Sequence, residues 1–140
     1  MKEHKDVFGI DISKDWIDAA PWIPSLGEDL RRLPVRRFSR DGPGAKAILE
    51  WAQQLGFQDP WFVMEATGNY SEEFARELVR SDPRAHIAIV NPGSVRFYAR
   101  SLPIRGKTDA MDARVLARFG SERALTAWTE IPASRKERRG

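Results

Sequence analysis

Cysteine is absent from the 140 residues, and histidine occurs only twice. The first absence excludes a disulfide framework and any thiolate metal site, and it fits a reducing cytosol. Long apolar runs are missing too, and nothing approaches the ~20 residues of a membrane span. No internal repeat or low-complexity segment is present. The opening MKEHKD is charged and leads straight into a strand-like run, so no signal peptide is expected. What remains is ordinary for one soluble domain, with 41% hydrophobic and 31% charged residues. The excess of base is small overall, a net charge of +3, but it is unevenly spread. Arg96 to Arg123 holds seven Lys/Arg against three acids, and the tail SRKERRG adds four bases against one acid. A basic C-terminal third suits a polyanionic partner, while a solvated helix face with a frayed tail is the plainer alternative.

Hydrophobic periodicity divides the chain into alternating elements. VFGIDIS (Val7 to Ser13) reads as a strand with apolar residues on both faces. Asp15 to Ile23 and LPVRRFSR (Leu33 to Arg40) alternate as two further strands, separated by the Pro/Gly link at Pro24 to Gly27. Asp41 is placed to cap a helix carrying Ile48, Leu49, Ala52 and Leu55, which stops at Gly56. WFVMEA (Trp61 to Ala66) reads as a short buried strand. A helix follows from about Tyr70 to Arg80, with Asn69 and Glu72 spaced as a capping box. HIAIV is a strand, and a Pro-started helix runs through Arg96 and Tyr98. A loop with Pro103 and Gly106 precedes the last helix, KTDAMDARVLARF (Lys107 to Phe119). Three strands in succession imply an antiparallel meander, and the later alternation implies right-handed parallel crossovers. This order predicts an α/β ribonuclease H-like (RuvC-like) fold, a mixed five-stranded sheet with strands one and four adjacent at its centre. A flavodoxin-like sheet requires a helix between the early strands, and none is visible.

Four acids stand out against apolar surroundings. Asp11 lies between Ile10 and Ile12 on the first strand, and Glu65 closes a strand with almost no other polar residue. Wound at 100° per residue from Asp109, the last helix has its bulky apolar arc at roughly 200° to 340°. Asp112 falls inside that arc near roughly 300°, whereas Arg114 and Arg118 lie on the far side, badly placed to neutralise it. With strands one and four adjacent, Asp11, Glu65, Asp109 and Asp112 can converge on one point. A like-charged pair at ~4 Å costs roughly 4 kcal/mol at an effective dielectric of 20, so such a cluster needs protons or cations. All four are hard oxygen donors, which suits Mg²⁺ or Mn²⁺ rather than zinc. Taken singly, Asp11 can be a turn former, Glu65 a partner of the next helix dipole, and Asp109 a first-turn acid. Asp112 has no alternative as simple.

GID (Gly9 to Asp11), MEATGNY (Met64 to Tyr70), VNP (Val90 to Pro92) and KTDAMDA together resemble the DEDD-type insertion-sequence transposases, the family that includes the Piv DNA invertases. The resemblance covers nearly the whole chain and is to the family's N-terminal RuvC-like domain. It implies a DNA transposase or site-specific recombinase with Asp11, Glu65, Asp109 and Asp112 as a catalytic, divalent-metal-binding tetrad. It further implies contact with donor and target DNA and a structured guide RNA, and assembly as a homo-oligomer. Lys107, Arg105, Arg96 and Arg100 are the candidate nucleic-acid contacts. Residues 1–122 are expected to form the metal-binding domain, and 123–140 a basic linker toward a C-terminal domain. Family members carry there a serine that the resemblance assigns as the strand-attacking nucleophile. No serine of this chain matches its context, which suggests an excised domain or truncated copy, incomplete on its own.

Two other functions compete with this one. GIDIS is similar to the first phosphate loop of actin-like and sugar kinases, but Ile12, Ser13 and Lys14 follow the acid where those loops place Gly and Thr or Ser. A non-catalytic nucleic-acid-binding or assembly module with a vestigial tetrad is the other. Among the remaining residues, Thr108 reads as an N-cap, Gly68 as a permissive turn position, and Asp15 and Asp18 as solvent-facing. Trp128, in a polar-rich stretch, is expected to pack on another domain or subunit.

Overall fold

The computed structural model describes residues 5–27, 29–102 and 109–130, with the side chains of 109–111 outside that description. The strands are β1 (Val7–Ile12), β2 (Trp16–Pro21), β3 (Arg36–Ser39), β4 (Trp61–Glu65) and β5 (His86–Val90). The helices are α1 (Gly42–Gln54), α2 (Tyr70–Ser81), α3 (Pro92–Arg100) and α4 (Asp109–Glu122). Two short 3-10 turns, Pro24–Leu26 and Leu30–Arg32, fill the link between β2 and β3. The five strands lie in the order β3-β2-β1-β4-β5. β1 pairs antiparallel with β2 and parallel with β4, so strands one and four are indeed central neighbours. The mixed sheet with its flanking helices is the expected ribonuclease H-like arrangement.

Alternation along β1 builds two cores at once. Phe8, Ile10 and Ile12 point to the α1/α2 side, where they join Ile48, Trp51, Phe62, Met64, Phe74 and Leu78. Phe8 stacks on Phe62 at 5.6 Å and tilts against Trp51 at 5.4 Å. Val7 and Val63 point the other way, into a second core with Val95, Tyr98, Leu116 and Phe119. Each fully buried side chain of this size contributes roughly 1.5–3 kcal/mol.

Local capping fixes where α1 and α3 begin. The Asp41 carboxylate accepts from Gly44 N–H at 2.9 Å, as expected, and α1 ends before Gly56 at φ 75°. Hydrogen bonds from Ser39 and from the Gly44 amide hold the Asp41 carboxyl below its ordinary range. In VNP, Asn91 accepts from Gly93 N–H at 2.7 Å and caps α3, with Pro92 in the first turn. The capping box at Asn69 does not form. Its backbone is already helical, at φ −87° and ψ −12°, where a cap needs extended geometry, and its side chain makes no cap hydrogen bond. The Thr108 cap lies outside the described residues.

Tyr98 joins α3 to α4. Its ring meets Phe119 edge-on at 5.4 Å, and its hydroxyl donates to Glu122 Oε1 at 2.7 Å. Burial pushes the Tyr98 phenol well above its ordinary range, with the Glu122 carboxylate adding to the effect. Burial works to raise Glu122 as well. Hydrogen bonds from Tyr98 and Arg118, with the Arg118 and Arg123 charges, outweigh it and leave that carboxyl below its ordinary 4.5. A depressed carboxyl stabilises the fold above its unfolded pKa and loses that contribution as pH falls through its folded value. Tyr98→Phe is therefore expected to lower stability by about 1 kcal/mol at neutral pH. In thermal melts the gap from wild type narrows on acidification below the ordinary 4.5 of Glu122.

Candidate functional site

α4 lies directly on β1, and the contact is made by small residues. A Cβ on Gly9 would run into Ala113 O and Ala117 N, with the Leu116 carbonyl carbon at 2.9 Å. A Cβ on Gly120 would fall 2.9 Å from Val7 Cγ1 and 2.7 Å from Val63 Cγ2. Gly120 thus sits over the start of β1 and Ala113 over its middle, so α4 runs antiparallel to β1. Its N-terminal turn therefore extends toward the C-terminal ends of β1 and β4. Ala113, Leu116, Ala117 and Gly120 form the side that meets the strand, and Val115 and Phe119 pack to the flank with α3. The bulky arc read from the sequence accounts for the flank and, at its edge, for Leu116. Close seating on a flat sheet requires the narrow Ala/Gly side, which a hydrophobicity pattern ranks low.

Three of the four expected acids share one end of this α4-covered face. Asp11 follows Gly9 by two residues on β1 and so faces the same side, half-buried. β1 and β4 pair in step through Ile10 and Met64, and one further step sets Asp11 beside Glu65. Glu65 ends β4 half-buried, and the chain turns sharply after it. Thr67 Oγ1 donates to Glu65 O at 2.9 Å, Ser71 Oγ accepts from Thr67 N–H at 3.2 Å, and Gly68 adopts φ 50°. Asp112 lies next to Ala113 in the first turn of α4 and is half-buried. Asp109 opens the helix one turn before Ala113, and its side chain is outside the described residues. Among the described residues no three Asp, Glu or His side chains by themselves form a group able to hold a metal ion. Asp11, Glu65 and Asp112 offer only carboxylate oxygens, a chemistry that fits a hard divalent cation rather than zinc.

Sequence reasoning missed one acid on this face. Asp18, expected in solvent, is only 5% exposed. It is the register partner of Asp11 on β2, and Arg37 is its own partner on β3. Arg37 Nε donates to Asp18 Oδ1 at 2.9 Å and Nη2 to Oδ2 at 3.1 Å, and this fork is what permits the burial. The signal lay in the pairing of β2 with β3, which leaves no trace in either segment alone.

The basic candidates divide. Arg96 and Arg100 are exposed on α3, flanking Phe97, which is 76% exposed. Lys107 and Arg105 lie outside the described residues. Arg114 donates to Leu33 O at 2.8 Å and Arg118 pairs with Glu122 at 3.1 Å, so both point away from the acids as expected. Trp128 departs from expectation. It packs on the α1/α2 core, and its backbone N–H donates to Ile87 O at 2.7 Å, covering the open edge of β5. No helix among the described residues is long and apolar enough to cross a membrane.

Comparison with known proteins identifies the family. Residues 8–135 match the DEDD transposase family, described as "Transposase". The chain is 31% identical over 126 residues to the pilin gene-inverting protein of Moraxella bovis. It is likewise 31% identical over 126 residues to the pilin gene-inverting protein of Moraxella lacunata. These alignments take in 89% of the chain and 37% of either relative, so it spans little more than a third of their length. The chain belongs to the DEDD-type insertion-sequence transposase family.

Proposed function

We propose that this chain is the metal-binding domain of a DNA transposase or site-specific recombinase acting in the bacterial cytoplasm. Asp11, Glu65, Asp109 and Asp112 hold Mg²⁺ or Mn²⁺. The observation that carries this reading is the seating of α4 on Gly9, which directs its acid-bearing first turn at the strand ends where Asp11 and Glu65 sit side by side. Family membership and the DNA-inverting relatives support the choice of DNA as substrate. A pair of such ions, when bound, supplies stabilisation of the attacking and leaving oxygens in a phosphodiester displacement. The protein's own part is to fix the carboxylates on rigid strands and to press a helix over them. Arg96 and Arg100 on α3, with Lys107 and Arg105 ahead of α4, bind the nucleic-acid backbone. Residues 1–122 form the metal-binding unit, the next stretch packs back on it through Leu125 and Trp128, and the basic segment to 140 leads toward the remainder of a longer recombinase. A structured guide RNA and homo-oligomeric assembly follow from the family resemblance.

Calorimetric titration of Mn²⁺ into wild type and into Asp11→Asn, Glu65→Gln, Asp109→Asn and Asp112→Asn tests the assignment. Each single change is expected to weaken binding at least tenfold, about 1.4 kcal/mol. Unchanged affinity in all four folded variants refutes the site. A wild type that binds no divalent ion favours the non-catalytic nucleic-acid-binding module.

A further inference from the structure

The sheet carries a row of charge across four strands at one level. Glu65, Asp11, Asp18 and Arg37 follow one another through β4, β1, β2 and β3, all on the face covered by α4. Asp18 and Ser71 are the buried polar side chains among the described residues. An unpaired carboxylate at Asp18 is costly, and its position next to Asp11 makes a second negative charge unfavourable as well. Arg37 offsets both effects. The same guanidinium lies 4.3 Å from the centroid of the Trp16 ring. The Asp18 fork and the Trp16 stack fix its plane, yet its side chain remains 53% exposed. Two strand spacings of ~4.8 Å put the Arg37 backbone ~10 Å from that of Asp11 along the sheet.

We propose that Arg37, oriented by Asp18 and Trp16, is a positioning residue that binds a backbone phosphate of the nucleic-acid strand whose scissile bond lies at the carboxylate site. A structural edge pair alone accounts for the fork. It does not account for a pinned, half-exposed guanidinium level with Asp11, because an apolar pair on β2 and β3 would hold the edge as well. Arginine suits the task, since its planar donors match phosphate geometry and a fixed plane loses little freedom on binding. The strand then crosses from Arg37 at the β3 edge toward Asp11 and Glu65 at the sheet centre. The proposal rests on the metal-site reading for the identity of the reacting end, while the phosphate contact itself is measurable without metal.

The test uses a fluorescein-labelled mixed-sequence DNA duplex, its affinity followed by anisotropy over a salt series in EDTA. Arg37→Ala is expected to weaken binding roughly three- to tenfold and to reduce the log K against log salt slope by about one. Because that variant strands the Asp18 carboxylate, the neutral pair Asp18→Asn/Arg37→Gln serves as its companion. It keeps a hydrogen bond and leaves the net charge unchanged, so the same loss of slope cannot come from bulk electrostatics. Arg37→Lys keeps the charge but not the fork, and is expected to retain the slope with weaker affinity. An unaltered slope in the folded double variant overturns the proposal. Mn²⁺ titration of that variant without DNA is expected to match wild type. Loss of Mn²⁺ binding there assigns the pair to the metal site and also overturns it. Absence of Mn²⁺ binding in wild type refutes the metal reading, with the slope still deciding the phosphate contact.

Discussion

Gly9→Ala is expected to lower the melting temperature by roughly 10 °C and to weaken divalent-ion binding, although position 9 carries no donor atom. The added methyl meets backbone, namely Ala113 O, Ala117 N and the Leu116 carbonyl carbon, rather than a side chain that can swing away. The whole of α4 has to lift from β1. Overpacking against backbone costs roughly 3 kcal/mol, and each kcal/mol shifts the midpoint of a domain this size by about 3–4 °C. A lifted helix carries Asp112 away from Asp11 and Glu65, so stability and ion affinity fall together. Differential scanning calorimetry with and without Mn²⁺ reads both quantities. A melting point within about 2 °C of wild type means that α4 does not rest on β1 as described.

Saturating Mn²⁺ is expected to raise the stability of wild type and to leave Asp11→Asn/Asp112→Asn unmoved. At a hundredfold excess over Kd a ligand specific to the folded state adds about 2.7 kcal/mol, roughly 9 °C here. Without metal the double variant is expected to melt within a few degrees of wild type, since it removes mutual repulsion along with favourable contacts of the same carboxylates. Chelation with EDTA returns wild type to its metal-free midpoint. An equal Mn²⁺ shift in both proteins places the ion elsewhere on the molecule.

Much of this fold was legible because its elements differ in period. Acids embedded in VFGIDIS and WFVMEA drew attention since each interrupts an otherwise apolar strand, and Asp112 since it interrupts a helical arc. Element order sets β1 beside β4, and with it Asp11 beside Glu65. What escaped depended on pairing across the sheet or on close packing. Asp18 looks solvent-facing in its own segment, and only Arg37, 19 residues later, makes its burial affordable. The seat of α4 escaped because Gly9, Ala113, Ala117 and Gly120 contribute little to any hydrophobic pattern, although their smallness permits the contact. Trp128 stands in a polar stretch with no local partner, because the open edge of β5, which its backbone covers, is created only by the completed sheet. Asn69 failed as a cap for a local reason, a backbone already helical at the position where the cap needs extended geometry.

The central claim is that β1, β4 and the first turn of α4 build one divalent-cation site. Paramagnetic broadening of backbone amide signals by substoichiometric Mn²⁺ tests it most directly, because the effect is confined to the neighbourhood of the ion. The predicted result is selective loss of signals at Asp11, Ile12, Glu65, Ala66, Asp112 and Ala113, reversed by EDTA, with Asp59, Asp82 and Glu130, toward the opposite end of the sheet, retained. Broadening centred on those distant acids, or none at all in the folded protein, contradicts the account.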